Sequence, residues 1–159
     1  MSMRYSDTVN YEKLDPVKRQ AMRTFEDTMR NPERLSIRVM SVGGTAAVFD
    51  FLDYDFMLGF NVEGLGTKNM IADRMYEDMV RQGYPRPERV YEFIGQDATM
   101  MSAMDLVSMG ADPFGYGDFL TAGNDDWFND DRRNQALLNG FRAGAMEAGL
   151  PYHAARRLY

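Results

Sequence analysis

Two strand-like runs, TAAVFDFL and FMLGFNV, meet at Asp53-Tyr54-Asp55, and EGLGTKN and a helical run follow at once. This order constrains the fold more than any other feature. Apolar runs flanking turn formers predict a β-hairpin. From Asn69 to Val80 the apolar period changes to that of a helix. The stretch Glu63-Gly64-Leu65-Gly66-Thr67-Lys68-Asn69 therefore stands at a strand-to-helix junction. Glycines there permit positive φ and a close backbone approach. Main-chain amides at such a turn form an anion site with the helix N-terminus. Lys68 adds a point charge and Thr67 a hydroxyl. A Walker loop needs four residues between its first Gly and its Gly-Lys pair. Here one residue separates the glycines and a Thr precedes the Lys, so the turn is not one. The same residues also suit a plain strand–helix connection.

The rest of the chain supplies more of both element types. Residues 1–14 are polar and read as an arm. Asp15-Pro16 predicts a helix start, with Asp as cap and Pro at the first helical position. That helix is expected to reach about Arg30, where Asn31-Pro32 stops it. LSIRVMSV reads as extended and Gly43-Gly44 as a turn. RQGYPRPERV is a loop. A long helix is expected from about Tyr91 to Met109, with Gly110 just past its end. DPFGYGDFLTA reads as a strand, GNDDWFNDD as an acidic loop, and Asp131 to Ala148 as the last helix, closed by Gly149-Leu150-Pro151. The mixture indicates α+β or mixed α/β. A chain of 159 residues suggests one domain with a single core, over 15–159.

Composition narrows the chemistry. There is no cysteine and only one histidine, His153. Disulfides, thiolate zinc sites, cysteine nucleophiles, catalytic triads and multi-histidine centres are excluded. Any metal must take oxygen ligands, which points to magnesium or calcium. A net charge of −6 argues against a broad nucleic-acid surface. No apolar run approaches the ~20 residues of a membrane span. The N-terminus carries no apolar signal region, so the expected location is the cytoplasm. The 14 methionines fall mostly at helical spacings and read as adaptable core filler.

Two acidic stretches remain. In GQDATMMSAMDLVSMGADP, Asp97 and Asp105 lie eight residues apart on the expected helix. That places them about 80° apart around the axis and ~12 Å apart along it. They can line one groove but not easily clamp one ion. They suit two magnesium ions, two ends of a magnesium–polyphosphate complex, or simply a solvated face. Met101, Met104 and Leu106 are expected on the buried side. NDDWFNDDRR lacks the Gly and Glu of a calcium loop. It reads as a solvated loop anchored by Trp127 and Phe128, with Asp130 or Asp131 capping the next helix and its arginines pairing within that helix.

In combination these segments resemble the N-terminal domain of the AIR synthase (PurM-like) superfamily. The resemblance runs from about Val9 to Gly149, through YEKLDPVKRQA, EGLGTKN, GQDATMMSAMDLVSMGADP and DWFNDDRR…LLNGFRAGAMEAGL. Its strongest carriers are the acidic-Gly-x-Gly-Thr-Lys turn and the helix with two Asp and Gly-Ala-x-Pro. The resemblance implies an α+β domain with a mixed or antiparallel sheet packed by helices. It further implies a homodimer in which the sheets pair into a barrel. It implies an ATP- and Mg2+-dependent enzyme like phosphoribosylformylglycinamidine cyclo-ligase, in purine biosynthesis, which activates an amide oxygen of a small-molecule substrate by phosphorylation. Glu63, Asp97 and Asp105 would then serve magnesium, and Gly64, Gly66, Thr67 and Lys68 the phosphates. Other members are similar to selenophosphate synthetase, thiamine-monophosphate kinase or a hydrogenase maturation factor, and a non-catalytic dimerisation module is a further alternative. Glu63 stands where the family usually has Asp, and Met104 where it usually has Asn. The family's Gly-Gly-Glu-Thr segment and C-terminal domain are expected outside this sequence, in a separate subunit or a longer chain.

Overall fold

The computed structural model of the chain describes residues 10–40 and 44–157, with side chains as far as residue 153. The chain forms two compact units, one ending at Val62 and also holding Ser108–Ala111, the other made of Glu63–Val107 and the residues from Asp112 on.

In the first unit, helix α1 spans Tyr11–Thr24. It starts upstream of the expected Asp15-Pro16, because Asn10 supplies the cap and accepts from the Lys13 amide at 3.3 Å. Pro16 lies inside the helix, where its missing N–H removes one intrahelical bond. Residues 11–14 thus belong to the helix, and 1–9 lie outside the described residues. Asn31-Pro32 does not stop a helix. After Thr24 the chain tightens into a 3₁₀ helix, Glu26–Leu35, that runs through Pro32. Thr24 donates to Gln20 O and Thr28 to Phe25 O, side-chain bonds of the kind that compete with α-helical geometry. Ser36, at φ 55, ends the segment.

Three strands follow, β1 (Ile37–Val39), β2 (Ala47–Phe51) and β3 (Met57–Phe60), all antiparallel in the order β1-β2-β3. The expected hairpin forms between β2 and β3, pairing Ala47 with Phe60 and Asp50 with Met57. Of the expected Gly43-Gly44 turn, Gly43 lies outside the described residues.

The second unit carries α2 (Lys68–Arg81), α3 (Arg89–Ser108, its last residue in the first unit), β4 (Tyr116–Leu120), a 3₁₀ turn (Asp125–Asn129), α4 (Asp131–Glu147) and β5 (Tyr152–Arg157). Gly110 at φ 80 and Gly149 at φ 67 close α3 and α4 as their positions predict. β5 was not expected. It pairs parallel with β4, Tyr116 opposite Tyr152, and α4 provides the crossover that parallel strands need. The described strands therefore form an antiparallel sheet and a separate parallel pair, in place of the one mixed or antiparallel sheet expected. The class is α+β.

The main core lies in the second unit: Ala72, Val90, Tyr91, Ala98, Ala136, Leu137 and Phe141. Small residues let α3 and α4 touch. A Cβ on Gly140 would fall 2.1 Å from Glu92 O, and one on Gly95 would fall 2.4 Å from Leu137 O. Methionine is a minor filler, with Met79 packed, partly buried, against this core. No described methionine is among the buried residues, and Met70, Met75, Met104 and Met146 are largely exposed. Interhelical space this narrow selects Ala and Gly over a long thioether. For the same reason Ala98, Thr99 and Ala103 take the buried side of α3, while Met104 points outward.

Candidate active site

The strand-to-helix turn is stitched to α3 at two points. Lys68, the first residue of α2, places Nζ 2.5 Å from Asp97 Oδ2. Glu63, at the other end of the turn, shares a side-chain hydrogen bond with Asp105. The turn and two levels of one helix thus come together. Gly66 makes the bend possible at φ 56, and a Cβ on Gly64 or Gly66 would meet nothing within 4 Å. Thr67 takes the cap position of α2 in right-handed geometry, and its side chain makes no cap bond. The Lys68 amide is used within the turn, donating to Leu65 O at 3.2 Å.

The two acidic positions differ. Asp97 is exposed and faces a cation; Asp105 is half-buried and faces a second acid. Burial, then the hydrogen bond and charge of Asp105, push the Glu63 carboxyl above its ordinary range, against a bond from the Gly64 amide. Such a carboxyl pair favours holding a proton or a cation between its members. Among the described residues no three acids or histidines converge on one point. Two carboxylates are nevertheless what magnesium commonly takes from a protein, with waters and substrate phosphates completing the shell. The donor set therefore fits magnesium. Asp97, held by Lys68, stands apart from the Glu63–Asp105 pair, in keeping with its eight-residue separation from Asp105.

The acidic loop is structural. Asp130 caps α4, accepting from the Arg132 and Arg133 amides at 3.1 Å each. Trp127 anchors the loop through Nε1 to Asp73 Oδ1 at 3.2 Å, and the same oxygen accepts from Tyr91 OH at 2.5 Å. Arg133 does not pair within its helix as expected. Its guanidinium lies 4.2 Å from the Trp127 ring centre and donates to Trp127 O. Planar guanidinium stacking on an indole explains the preference. Asp73 escaped sequence reasoning, since nothing in IADRM marks an acid that two aromatic donors will share.

Residues 43–154 match the family described as AIR synthase related protein, N-terminal domain. Among curated proteins, the chain is similar to three named phosphoribosylformylglycinamidine cyclo-ligase. The protein from Thermoplasma volcanium is 30% identical over 69% of this chain and 27% of its own length. That from Pyrococcus horikoshii is 27% identical over 82% of this chain and 35% of its own. That from Streptococcus mutans is 26% identical over 87% of this chain and 34% of its own. The chain thus spans no more than 35% of the length of these relatives. No solved structure gives a significant match.

Proposed function

The chain belongs to the AIR synthase related family, and we propose that it is the nucleotide-binding portion of an ATP- and Mg2+-dependent cyclo-ligase-type enzyme of purine biosynthesis. One observation carries this reading: the Gly-rich turn is tied to α3 by an acid–acid pair at one end and a cation–acid pair at the other. The curated relatives' name supports the reaction class.

Each residue has a distinct role. Glu63 and Asp105 would hold magnesium at one end of the magnesium–nucleotide complex, and Asp97 would serve magnesium at the other. Lys68 turns its ammonium from Asp97 to a phosphate oxygen as a charge-assisted contact. Gly64 and Gly66 keep side chains away from the approach to that ammonium, and Thr67 offers its uncommitted hydroxyl. Magnesium, when bound, supplies neutralisation of phosphate charge. Phosphoryl transfer asks for positioning and electrostatics above all, which suits a chain without a nucleophilic cysteine. The acceptor groups belong to the remainder of the enzyme, in a longer chain or a separate C-terminal subunit.

We further propose a homodimer through the three-stranded sheet of the first unit. Met57 and Phe60 on β3, and Phe56 and Val62 flanking it, are more than half exposed, and exposed apolar residues at a sheet edge favour an interface. The working location is the cytoplasm, and no described helix is long and apolar enough to cross a membrane.

Isothermal titration with a non-hydrolysable ATP analogue tests the reading. Binding that requires magnesium and is lost in Asp105→Asn is the expected result. Lack of saturable binding, by the dimer alone and by the dimer mixed with the rest of the enzyme, leaves only the dimerisation-module alternative.

A further inference from the structure

A groove of about 510 Å³ runs between α2 and α3, and the turn from Gln82 to Glu88 contributes to one end of it. Its floor is apolar and buried, at Ala72 and Val90. Ile71, Met75, Phe93 and Ile94 form the walls. Volume and lining fall in the range of small-molecule sites. The charges are one-sided. Lys68, Arg86 and Arg89 line the groove and no acidic residue does, in a chain of net charge −6.

The arginines are held in place from outside the lining. Glu92 is shared between them, 3.1 Å from Arg86 Nη2 and 3.4 Å from Arg89 Nε, and Glu88 lies 3.5 Å from Arg86 Nε. A guanidinium has five N–H donors, more than these contacts engage. Arg86 also sits at φ 59, one of two described non-glycine residues with positive φ. A branched-free but bulky side chain is disfavoured there, and such strain persists where the surroundings hold it. Glycine would suit that backbone better, yet the position carries a cation.

From this arrangement we infer a binding site for a small organic anion with an apolar body, its acid group at Arg86 and Arg89 and its hydrocarbon or aromatic part between Met75 and Phe93. The site is separate from the Glu63–Asp105 pair. It stands whether or not the nucleotide reading holds.

Decanoate, with decanol as its uncharged counterpart, serves as the probe, in the intact protein without nucleotide or metal. Expected are saturable binding of one decanoate per chain and affinity for decanol lower by about tenfold, the scale of a lost charge-assisted contact. Arg89→Gln should weaken decanoate by about tenfold and leave decanol unchanged. Arg86→Gly gives the sharper readout. It should raise Tm by about 1–2 °C, because strain is relieved and exposed ion pairs are worth little, while it weakens decanoate. Asp105→Asn should leave decanoate binding intact, because the groove shares Lys68 with the nucleotide turn but not the Glu63–Asp105 pair. Equal affinity for decanol, or unchanged decanoate binding in both arginine variants, overturns the inference. So does a change of oligomeric state in Met75→Glu, which would mean that a second copy covers the groove.

Discussion

Lys68 Nζ stands 2.5 Å from Asp97 Oδ2, with both side chains close to half exposed, at 46% and 49%. An ion pair in that much solvent contributes only ~0–1 kcal/mol to stability. In the proposed reading it holds the ammonium ready for a phosphate. Lys68→Ala should therefore shift Tm by no more than about 2 °C, yet weaken the magnesium–ATP analogue by about tenfold or more. Asp97→Asn should weaken the same ligand. Thermal melts beside calorimetric titration read both. Unchanged nucleotide affinity in the two variants contradicts the assigned roles.

Glu63 and Asp105 make the opposite prediction for stability. The Glu63 carboxyl is pushed above its ordinary range by burial and by Asp105. Folding thus favours its protonated form. That contribution is present below the unfolded value near pH 4.5 and fades as pH rises through the higher folded value. At neutral pH the metal-free pair is a small liability. Glu63→Gln should raise the metal-free Tm at pH 7 by about 1–2 °C, with the gain gone at pH 4. With magnesium and nucleotide present the wild type should be the more stable. A metal-free variant that melts lower at pH 7 would refute the pairing.

Much of this was legible because short-range chemistry fixes it. The hairpin ahead of the Gly-rich turn, α2 and the Asp130 cap follow from alternation, periodicity and a side-chain acceptor at a helix start. Lys68 with Asp97 and Glu63 with Asp105 were legible only as members of one site. Their pairing depends on the path of the turn along α3, which spacing on a helix does not contain. Other features stayed hidden for tertiary reasons. β5 lies in PYHAARR, where two alanines and two arginines carry no strand preference, and only pairing with β4 makes it extended. The methionines have core-like spacing, but the α3–α4 contact is too close to admit them. Asn10 outcompeted Asp15 as a cap because both are good acceptors and only packing chooses between them.

The α3–α4 contact is sharp enough to test with one methyl group. A Cβ on Gly140 would lie 2.1 Å from Glu92 O, 2.9 Å from Glu92 C and 3.0 Å from Gln96 N. All three are backbone atoms and cannot rotate away. Alanine gains about 1 kcal/mol of helix propensity over glycine, but forcing the helices apart costs about 1–3 kcal/mol or more. At 2.1 Å the steric cost wins. Gly140→Ala should lower Tm by several degrees, roughly 2–4 °C for each kcal/mol lost. Asn139→Ala, one residue away on the exposed face, should not lower it by more than about 2 °C. A Gly140→Ala protein as stable as wild type would mean that the helices are farther apart.

Asp130 gives a pH-dependent counterpart. Burial opposes its ionisation, but the Tyr76 hydroxyl, the Arg133 amide and charge, and the Arg132 amide together outweigh that and hold the carboxyl below its ordinary range. The same contact, with burial as the larger cause, pushes the Tyr76 hydroxyl up to about 12. For a depressed carboxyl, the stabilising contribution is complete above the unfolded value near 3.8 and is lost as pH falls through the folded one. Asp130→Ala removes the α4 cap and should cost about 1–2 kcal/mol at pH 7. The gap from wild type should stay constant from about pH 5 to 8 and narrow below about pH 4. Trp127 is the only tryptophan and sits under Arg133 in the loop that Asp130 terminates, so its fluorescence follows the unfolding directly. A gap that persists undiminished at pH 2 would assign the loss to packing instead of to the ionised cap.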